Sequence, residues 1–327
     1  MPGSGRPPRS LLLVKTSSLG DVIHNLPVVT DLLAHFPAVE IDWVVEESFA
    51  EIPRLHPGVR EVIPVALRRW KKRLWSPATW REIGAARRQL AAQTYDAILD
   101  TQGLLKSALI ARQARGPRLG YDAAAAREAL AARCYDAGFF VPKTLHAVER
   151  NRRLAAAALG YTVAPQLDYG LPRSSAGPNR LSAVLLTATS RADKLWPEGH
   201  WVSLGRALAS RGLSVLLPGG SLAERQRAER LARQIPGAQA IPPMSLTGLA
   251  ELLAHARFAV GVDTGLSHLA AALGTPIVAL YTATDPGLTG VLGQGWFRNL
   301  GGRAEPPSVQ AVLTELVPFL PPRPGQR

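Results

Sequence analysis

The chain of 327 residues contains one cysteine, Cys134. A lone cysteine excludes an intramolecular disulfide framework and a thiolate cluster for zinc or iron–sulfur, and it fits the reducing cytoplasm. No apolar run approaches the roughly 20 residues that span a bilayer, so any membrane association is expected to be peripheral. The run Leu11–Val14 behind Arg6 and Arg9 is too short for a secretory signal, and residues 1–9 read as a flexible tail. The first predicted strand is not followed by G-x-G-x-x-G, and G-x-x-x-x-G-K-[ST] is absent, so dehydrogenase and P-loop NTPase readings lose their main support. There is no Asp-x-Asp, and the acidic pair Glu46-Glu47 would splay if its strand continued that far. The expectation is chemistry without a metal or cofactor.

Acidic residues are also few. Twenty-five Asp and Glu face 38 Lys and Arg, a net charge of +13. That balance implies an anionic partner, and nucleic acid, an anionic membrane face and a phosphorylated substrate all satisfy it.

The chain does have length, glycine, proline and short apolar runs. A length of 327 residues usually divides into two domains. Short apolar runs alternate with longer amphipathic stretches, the pattern of β-α units around a parallel sheet. Leu11–Lys15, Ile41–Val45, Val62–Val65 and Ala97–Leu99 read as strands. Val22–Phe36, which Pro27 must kink or delay, and Trp80–Gln93 read as helices. The Pro-, Ser- and Gly-rich stretch Leu171–Pro178 suits a boundary. A second cycle follows, with strands at Ala183–Thr187, Leu213–Leu217, Phe258–Val262 and Ile277–Tyr281. Its helices open at Pro197, at the capping box Ser221 to Glu224, at Ser245 and at Leu266. The organisation predicted is a tail at 1–9, an N-terminal Rossmann-like domain at 10–172, a linker at 173–178 and a C-terminal Rossmann-like domain at 179–327. The last helix, 308–320, can pack on either domain. Two such domains would face each other across a cleft, with ligands beyond the carboxyl ends of the strands.

Three loops that follow strands can carry chemistry. In Thr16–Asp21, Asp21 is either a general base or a helix cap. Thr189–Lys194 offers two hydroxyls and two cations to a phosphate, or is a solvated turn. In Asp263–His268, Gly265 and a helix N-terminus can admit a diphosphate; alternatively Thr264 is a simple N-cap and His268 a buried core histidine. The segment Arg68–Trp75 interleaves five cations with two tryptophans and can grip a multiply charged ligand or an anionic surface. No helix-turn-helix or RNP-like signature supports nucleic acid.

The stretch Val14–Val22 closely resembles the opening of the lipopolysaccharide heptosyltransferase family. The resemblance continues through Asp42–Glu47, Arg68–Trp70, Asp100–Ser107, His146–Arg150, Asp193–Pro197 and Asp263–Leu269. The Arg68–Trp70 and His146–Arg150 stretches favour the type I branch over type II. This resemblance implies a GT-B fold and a metal-independent, inverting transferase. The implied donor is ADP-L-glycero-β-D-manno-heptose, and the implied acceptor is the first Kdo of Kdo2-lipid A. It also implies a monomer working peripherally at the cytoplasmic face of the inner membrane, without nucleic acid.

Carried over by position, Asp21 matches the base. Lys194 with Thr189 and Ser190 matches the diphosphate contacts, and Glu224 and Met244 the nucleoside contacts. Asp263, Thr264, Gly265 and His268 match the donor motif. Ser18, Gly20, Arg68, Arg69 and Lys72 fall on the acceptor side, with Arg127 and His146 as further candidates. The chain departs from the family at Thr187, where histidine is common, and at Thr282-Ala283, where Gly-Pro is common. A type II acceptor, or a non-catalytic nucleotide- or nucleic-acid-binding α/β protein, are the alternatives.

Overall fold

The computed structural model describes residues 7–172 and 179–322. The expected linker 173–178, and residues 1–6 of the expected tail, lie outside the described residues. The chain divides into two compact units, Met1–Leu171 and Pro172–Arg327.

The first unit holds strands β1 (Ser10–Val14), β2 (Glu40–Glu46), β3 (Val59–Val65), β4 (Ala97–Asp100), β5 (Arg118–Tyr121) and β6 (Ala137–Phe139). They form one sheet in the order β3-β2-β1-β4-β5-β6, every neighbouring pair parallel. Its helices are α1 (Leu19–Ile23), α2 (Leu26–His35), α3 (Glu51–Arg54), α4 (Leu67–Lys72), α5 (Pro77–Leu90), α6 (Leu105–Ala111) and α7 (Ala147–Leu159). The four residues Leu11–Val14 are wholly buried, as a central strand covered by helices on both faces requires. Arg9 does not belong to a free tail: its N–H donates to Asp96 Oδ2 at 2.7 Å, and its carbonyl accepts from Glu40 N at 2.8 Å.

The helix expected over 22–36 is two helices. The chain breaks at His24-Asn25, and Pro27 then lies in the first turn of α2, where its missing N–H costs nothing. Pro77 likewise starts α5 one turn earlier than the apolar pattern suggests. Helix α7 is tied to α2 by a buried bidentate pair. Arg152 donates Nε to Asp31 Oδ2 at 2.7 Å and Nη2 to Asp31 Oδ1 at 2.9 Å, and also reaches the carbonyls of Ala164 and Gln166.

The second unit repeats the plan with β7 (Asn179–Leu186), β8 (Ser214–Pro218), β9 (Gln239–Ile241), β10 (Ala256–Val262), β11 (Ile277–Tyr281) and β12 (Phe297–Gly301). Their order is β12-β11-β10-β7-β8-β9, again all parallel. Helices α8 (Glu198–Ala209), α9 (Leu222–Ala232), α10 (Leu246–His255), α11 (Gly265–Ala272), α12 (Pro286–Thr289) and α13 (Val309–Leu316) complete it. Trp196 and Trp201 meet edge to face at 4.9 Å in its core. The last helix, left open between the two domains by its sequence, buries Val312 and Leu316 in that same core. It stops at Leu316 and passes into a single 3-10 turn, Val317–Phe319, rather than running on to residue 320.

Gly261 on β10 lets α11 lie close. A Cβ there would stand 2.3 Å from Ser267 Oγ, which is itself bonded to Val262 O at 2.7 Å, and 3.0 Å from Leu186 Cβ.

Two stability measurements follow from this packing. Arg152→Met leaves Asp31 buried and unpaired and should cost about 3–5 kcal/mol in urea unfolding. The double replacement Asp31→Leu/Arg152→Met should recover much of that loss. Gly261→Ala should cost about 1–3 kcal/mol by overpacking; an unchanged midpoint would show that α11 can move away freely.

Candidate functional site

In each sheet the order of strand addition reverses between two neighbours, β1 and β4 in the first unit and β7 and β10 in the second. Because the strands are parallel, all loops that leave their carboxyl ends emerge on one edge. The reversal opens a gap between loops there, the usual ligand position in such sheets.

In the first unit, the loop after β1 carries Ser18, Gly20 and Asp21. Ser18 caps α1 and donates its N–H to Asp21 Oδ2 at 3.0 Å and its hydroxyl to the same oxygen at 3.3 Å. The capping role of Asp21 is therefore real, but it occupies one oxygen. The other oxygen, Oδ1, accepts from Arg127 Nη2 at 2.9 Å, and the Asp21 side chain keeps 17% exposure. Burial alone would push the Asp21 carboxyl up. The charges of Lys15 and Arg127 and the Ser18 N–H outweigh it, and hold the group well below the ordinary carboxylate range. Lys15 is buried and donates to Thr101 O at 2.7 Å and Asn151 Oδ1 at 3.3 Å. Burial lowers its pKa to about 8, with Asp21 opposing and Arg127 assisting that shift.

Residues that sequence reasoning did not single out hold this loop in place. The Gln102 side-chain oxygen accepts from Thr16 N at 3.0 Å and Ser17 N at 3.2 Å, while its amide donates to Ser17 O at 2.6 Å. Lys106 reaches Ser17 Oγ at 3.2 Å. Gly103, with φ +67°, turns the β4 exit, and a Cβ there would meet the Tyr121 ring at 3.1 Å and Arg127 N at 3.4 Å. Arg150 lies over the Tyr121 ring, 4.8 Å from its centroid, and donates to Ala125 O at 2.7 Å. The signal for Gln102, Gly103 and Lys106 was the stretch Asp100–Ser107, and for Arg150 the stretch His146–Arg150, which resemblance had marked without assigning these residues roles.

The other acceptor-side candidates separate. His146 caps α7, its Nδ1 accepting from Val148 N at 3.2 Å, and its ring meets His24 edge to face at 5.5 Å. Arg68, Arg69 and Lys72 lie in α4 after β3, two strands and so ~10 Å along the edge from the β1 loop. Arg69 is engaged by Glu47 at 2.9 Å and Glu82 at 2.8 Å. Arg68 lies over the Phe49 ring at 5.3 Å, and Lys72 is exposed with no ion pair among the described residues. Glu46 and Glu47 do splay. Glu46 is buried under the start of α4 and accepts from Leu67 N and Arg68 N at 3.2 and 3.1 Å, whereas Glu47 points to Arg69.

In the second unit, Asp263 directly follows β10. Its Oδ2 receives Lys194 Nζ at 2.7 Å and Thr284 Oγ1 at 2.7 Å, and its backbone carbonyl accepts from Thr189 Oγ1 at 3.0 Å. Thr264 is the N-cap of α11 with extended backbone, yet its hydroxyl makes no capping bond, so the simple capping role does not use its side chain. Gly265 opens the helix, and the N–H groups of that first turn and the helix dipole favour an anion. Ser190 is exposed and His268 is buried one turn into α11.

Glu224 and Met244 come off the exits of β8 and β9, ~5 and ~10 Å along the edge from β7. Glu224 Oε2 accepts the N–H groups of Gly220 and Ser221, both at 2.9 Å, so the capping box is formed; Met244 is 40% exposed. The departure at Thr282 has a use: its hydroxyl donates to Asp193 O at 2.8 Å and holds the turn that carries Lys194. Thr187 is buried at the end of β7, and its hydroxyl finds no hydrogen-bond partner among the described residues. One edge thus bears an ionised carboxylate among cations, and the other a lysine and a helix N-terminus suited to an anion.

The chain is similar to known proteins over most of its length. The family model of glycosyltransferase family 9 (heptosyltransferase) matches residues 83–310. Lipopolysaccharide heptosyltransferase 1 of Pseudomonas aeruginosa is 48% identical over 289 residues, 87% of this chain and 81% of that protein. The Escherichia coli K12 protein of the same name is 47% identical over 294 residues, 87% of this chain and 91% of its own. The E. coli heptosyltransferase WaaC structure with ADP superposes at a TM-score of 0.88 with 44% identity, covering 95% of this chain and 99% of that one. E. coli heptosyltransferase II, at 22% identity and a TM-score of 0.73, shares the fold. Two Rossmann-like sheets of one strand order, with a match of this extent, place the architecture in the GT-B class, and the chain belongs to glycosyltransferase family 9, the heptosyltransferases.

Proposed function

We propose that the chain moves L-glycero-D-manno-heptose from ADP-L-glycero-β-D-manno-heptose to the first Kdo of Kdo2-lipid A, with inversion, as a step of lipopolysaccharide inner-core synthesis. It works peripherally at the cytoplasmic face of the inner membrane. The observation that carries the reading is Asp21, an ionised carboxylate at the β1/β4 gap with Lys15 behind it and Arg127 on one oxygen. The similarity to E. coli heptosyltransferase WaaC, solved with ADP-2-deoxy-2-fluoro heptose, supports the donor, and the similarity to lipopolysaccharide heptosyltransferases 1 supports the type I reading.

In this mechanism an acceptor hydroxyl oxygen attacks the heptose anomeric carbon opposite the diphosphate. The bond from that carbon to the diphosphate oxygen breaks, its electron pair leaves with ADP, and the hydroxyl proton passes to Asp21. ADP departs as a stable anion, so a general acid is unnecessary. Lys194 and the N-terminus of α11 stabilise the charge that develops on the diphosphate, while Thr189, Ser190, Asp263, Thr264, Gly265 and His268 shape its seat. Asp263 holds Lys194 extended before the donor arrives. Glu224 and Met244 border the nucleoside. The acceptor is anionic, and Arg127, Arg68 and Lys72 meet its charges, with Arg69, Ser18, Gly20 and His146 framing them. When an acceptor carboxylate draws Arg127 away, Asp21 loses a stabilising cation and becomes a stronger base.

The direct assay is incubation with ADP-heptose and Kdo2-lipid A, with and without chelator, followed by mass measurement of the glycolipid. The expected result is a chelator-resistant gain of one heptose; transfer confined to an already heptosylated core would overturn the acceptor assignment. Asp21→Asn keeps the shape but not the base and should lower kcat by about 10²–10⁴-fold with ADP affinity unchanged. Near-normal transfer would remove Asp21 from the base role. Because Lys15 and Arg127 hold Asp21 low, the acid limb of kcat/KM should lie below the ordinary carboxylate range. Arg127→Met should move that limb upward in the residual activity, and an unmoved limb contradicts the coupling.

A further inference from the structure

The helical hairpin of α4 and α5 exposes an unusual surface. Trp75 at its tip is 99% exposed, Trp80 59% and Leu74 48%. An exposed apolar cluster on a rigid element marks a contact surface more often than an accident of folding. Lys71, Arg73 and Arg81 surround it, all exposed and without ion pairs among the described residues. From Arg68 to Arg81 the sequence has no acidic residue. The nearest acid in the hairpin, Glu82, is occupied by Arg69 and by the Trp70 indole N–H at 2.8 Å. Trp75, Pro77 and Trp80 line an open groove of about 700 Å³ with Arg81 and Arg88 beside them.

One hydrogen bond suits this tip to a less polar medium. The Trp80 indole N–H donates to Leu74 O at 2.8 Å, so the ring can leave water without stranding its donor. Trp70, by contrast, is buried beneath α4 and anchors the hairpin to the core of the first unit. The exposed tip is thus carried on an element that packing anchors at Trp70. Tryptophan favours the headgroup level of bilayers, and flanking cations add attraction to anionic lipid. Among the described residues no helix is long and apolar enough to cross a membrane.

We propose that the α4–α5 hairpin is a bilayer-docking element, with Leu74, Trp75 and Trp80 seated among anionic lipid headgroups and Lys71, Arg73 and Arg81 on their phosphates. This rests on the reading above that the acceptor is embedded in a bilayer, and it assigns the contact to residues outside the reaction chemistry. Lys72 and Arg68, on the same hairpin, then lie beside the surface from which the acceptor's sugars project.

The test uses the full chain and two vesicle types, phosphatidylcholine alone and phosphatidylcholine with one-third phosphatidylglycerol. Flotation should show binding to the anionic vesicles only, with tryptophan emission quenched by brominated acyl chains. Trp75→Ser should reduce that quenching to the share due to Trp80 and weaken binding on the order of ten-fold, and Arg73→Glu/Arg81→Glu should weaken it on the order of ten- to a hundred-fold. Both variants should keep transfer to a deacylated, water-soluble acceptor and lose it on vesicle-embedded acceptor. Wild-type transfer on vesicles without vesicle binding, or binding that both variants leave intact, overturns the docking proposal and leaves the proposed reaction standing. Vesicle binding without transfer to either acceptor overturns the reaction and leaves the docking. Salt-sensitive binding of duplex nucleic acid in preference to anionic vesicles overturns the choice of partner.

Discussion

The first unit depends on keeping a carboxylate charged where water is scarce. Asp21 can stay ionised only because Lys15 sits behind it, Arg127 in front and the Ser18 N–H beside it. Much of the surrounding structure keeps those three in place. Gln102 and Lys106 fix the β1 loop, Asn151 and the Thr101 carbonyl hold the Lys15 ammonium, and Gly103 lets the segment carrying Arg127 approach. The arrangement has a chemical cost: a carboxylate so well paired is a weak base. The exposed partner, Arg127, is the one an incoming anion can draw away, whereas Lys15 cannot move without opening the core.

On the proposed reading, the second unit solves the converse problem, holding a cation ready for a phosphate. Lys194 lies on Asp263, which also accepts from Thr284, while Thr189 bonds the Asp263 carbonyl and Thr282 the Asp193 carbonyl. The lysine thus loses its rotamer freedom before the ligand arrives rather than on binding. Both sites lie beside a reversal of strand order, because only there do adjacent loops diverge enough to admit a ligand.

Much of this was legible in the sequence, and the remainder failed for identifiable reasons. Leu11–Val14 of β1, Phe258–Val262 of β10 and the whole of β11 are buried on both faces and read as apolar runs. Strands β5, β6 and β9 are three or four residues long and carry no alternation to read. Asp21, Lys194 and Asp263 stand in the segments that follow strands, where pattern and motif coincide. Lys15 gives no such signal, since a lysine closing an apolar strand looks like its solvent end. The basic stretch at Arg68–Arg73 could not reveal which cation is already engaged, because the partners of Arg69 lie 22 residues before it and 13 after. Glu224 was rightly ambiguous, its capping box being formed in full.

The position of α13 bears on how the protein can be rebuilt. With Val312 and Leu316 in the second core, the strands, the covering helices and the loops that carry Lys194 and Asp263 come from one uninterrupted stretch of chain after Leu171. A chimera that exchanges this stretch with that of a relative carries its own core along and asks for a single junction. On the proposed assignment of donor and acceptor to separate units, nucleotide selection and acceptor selection would then be inherited separately, as two cassettes of one gene.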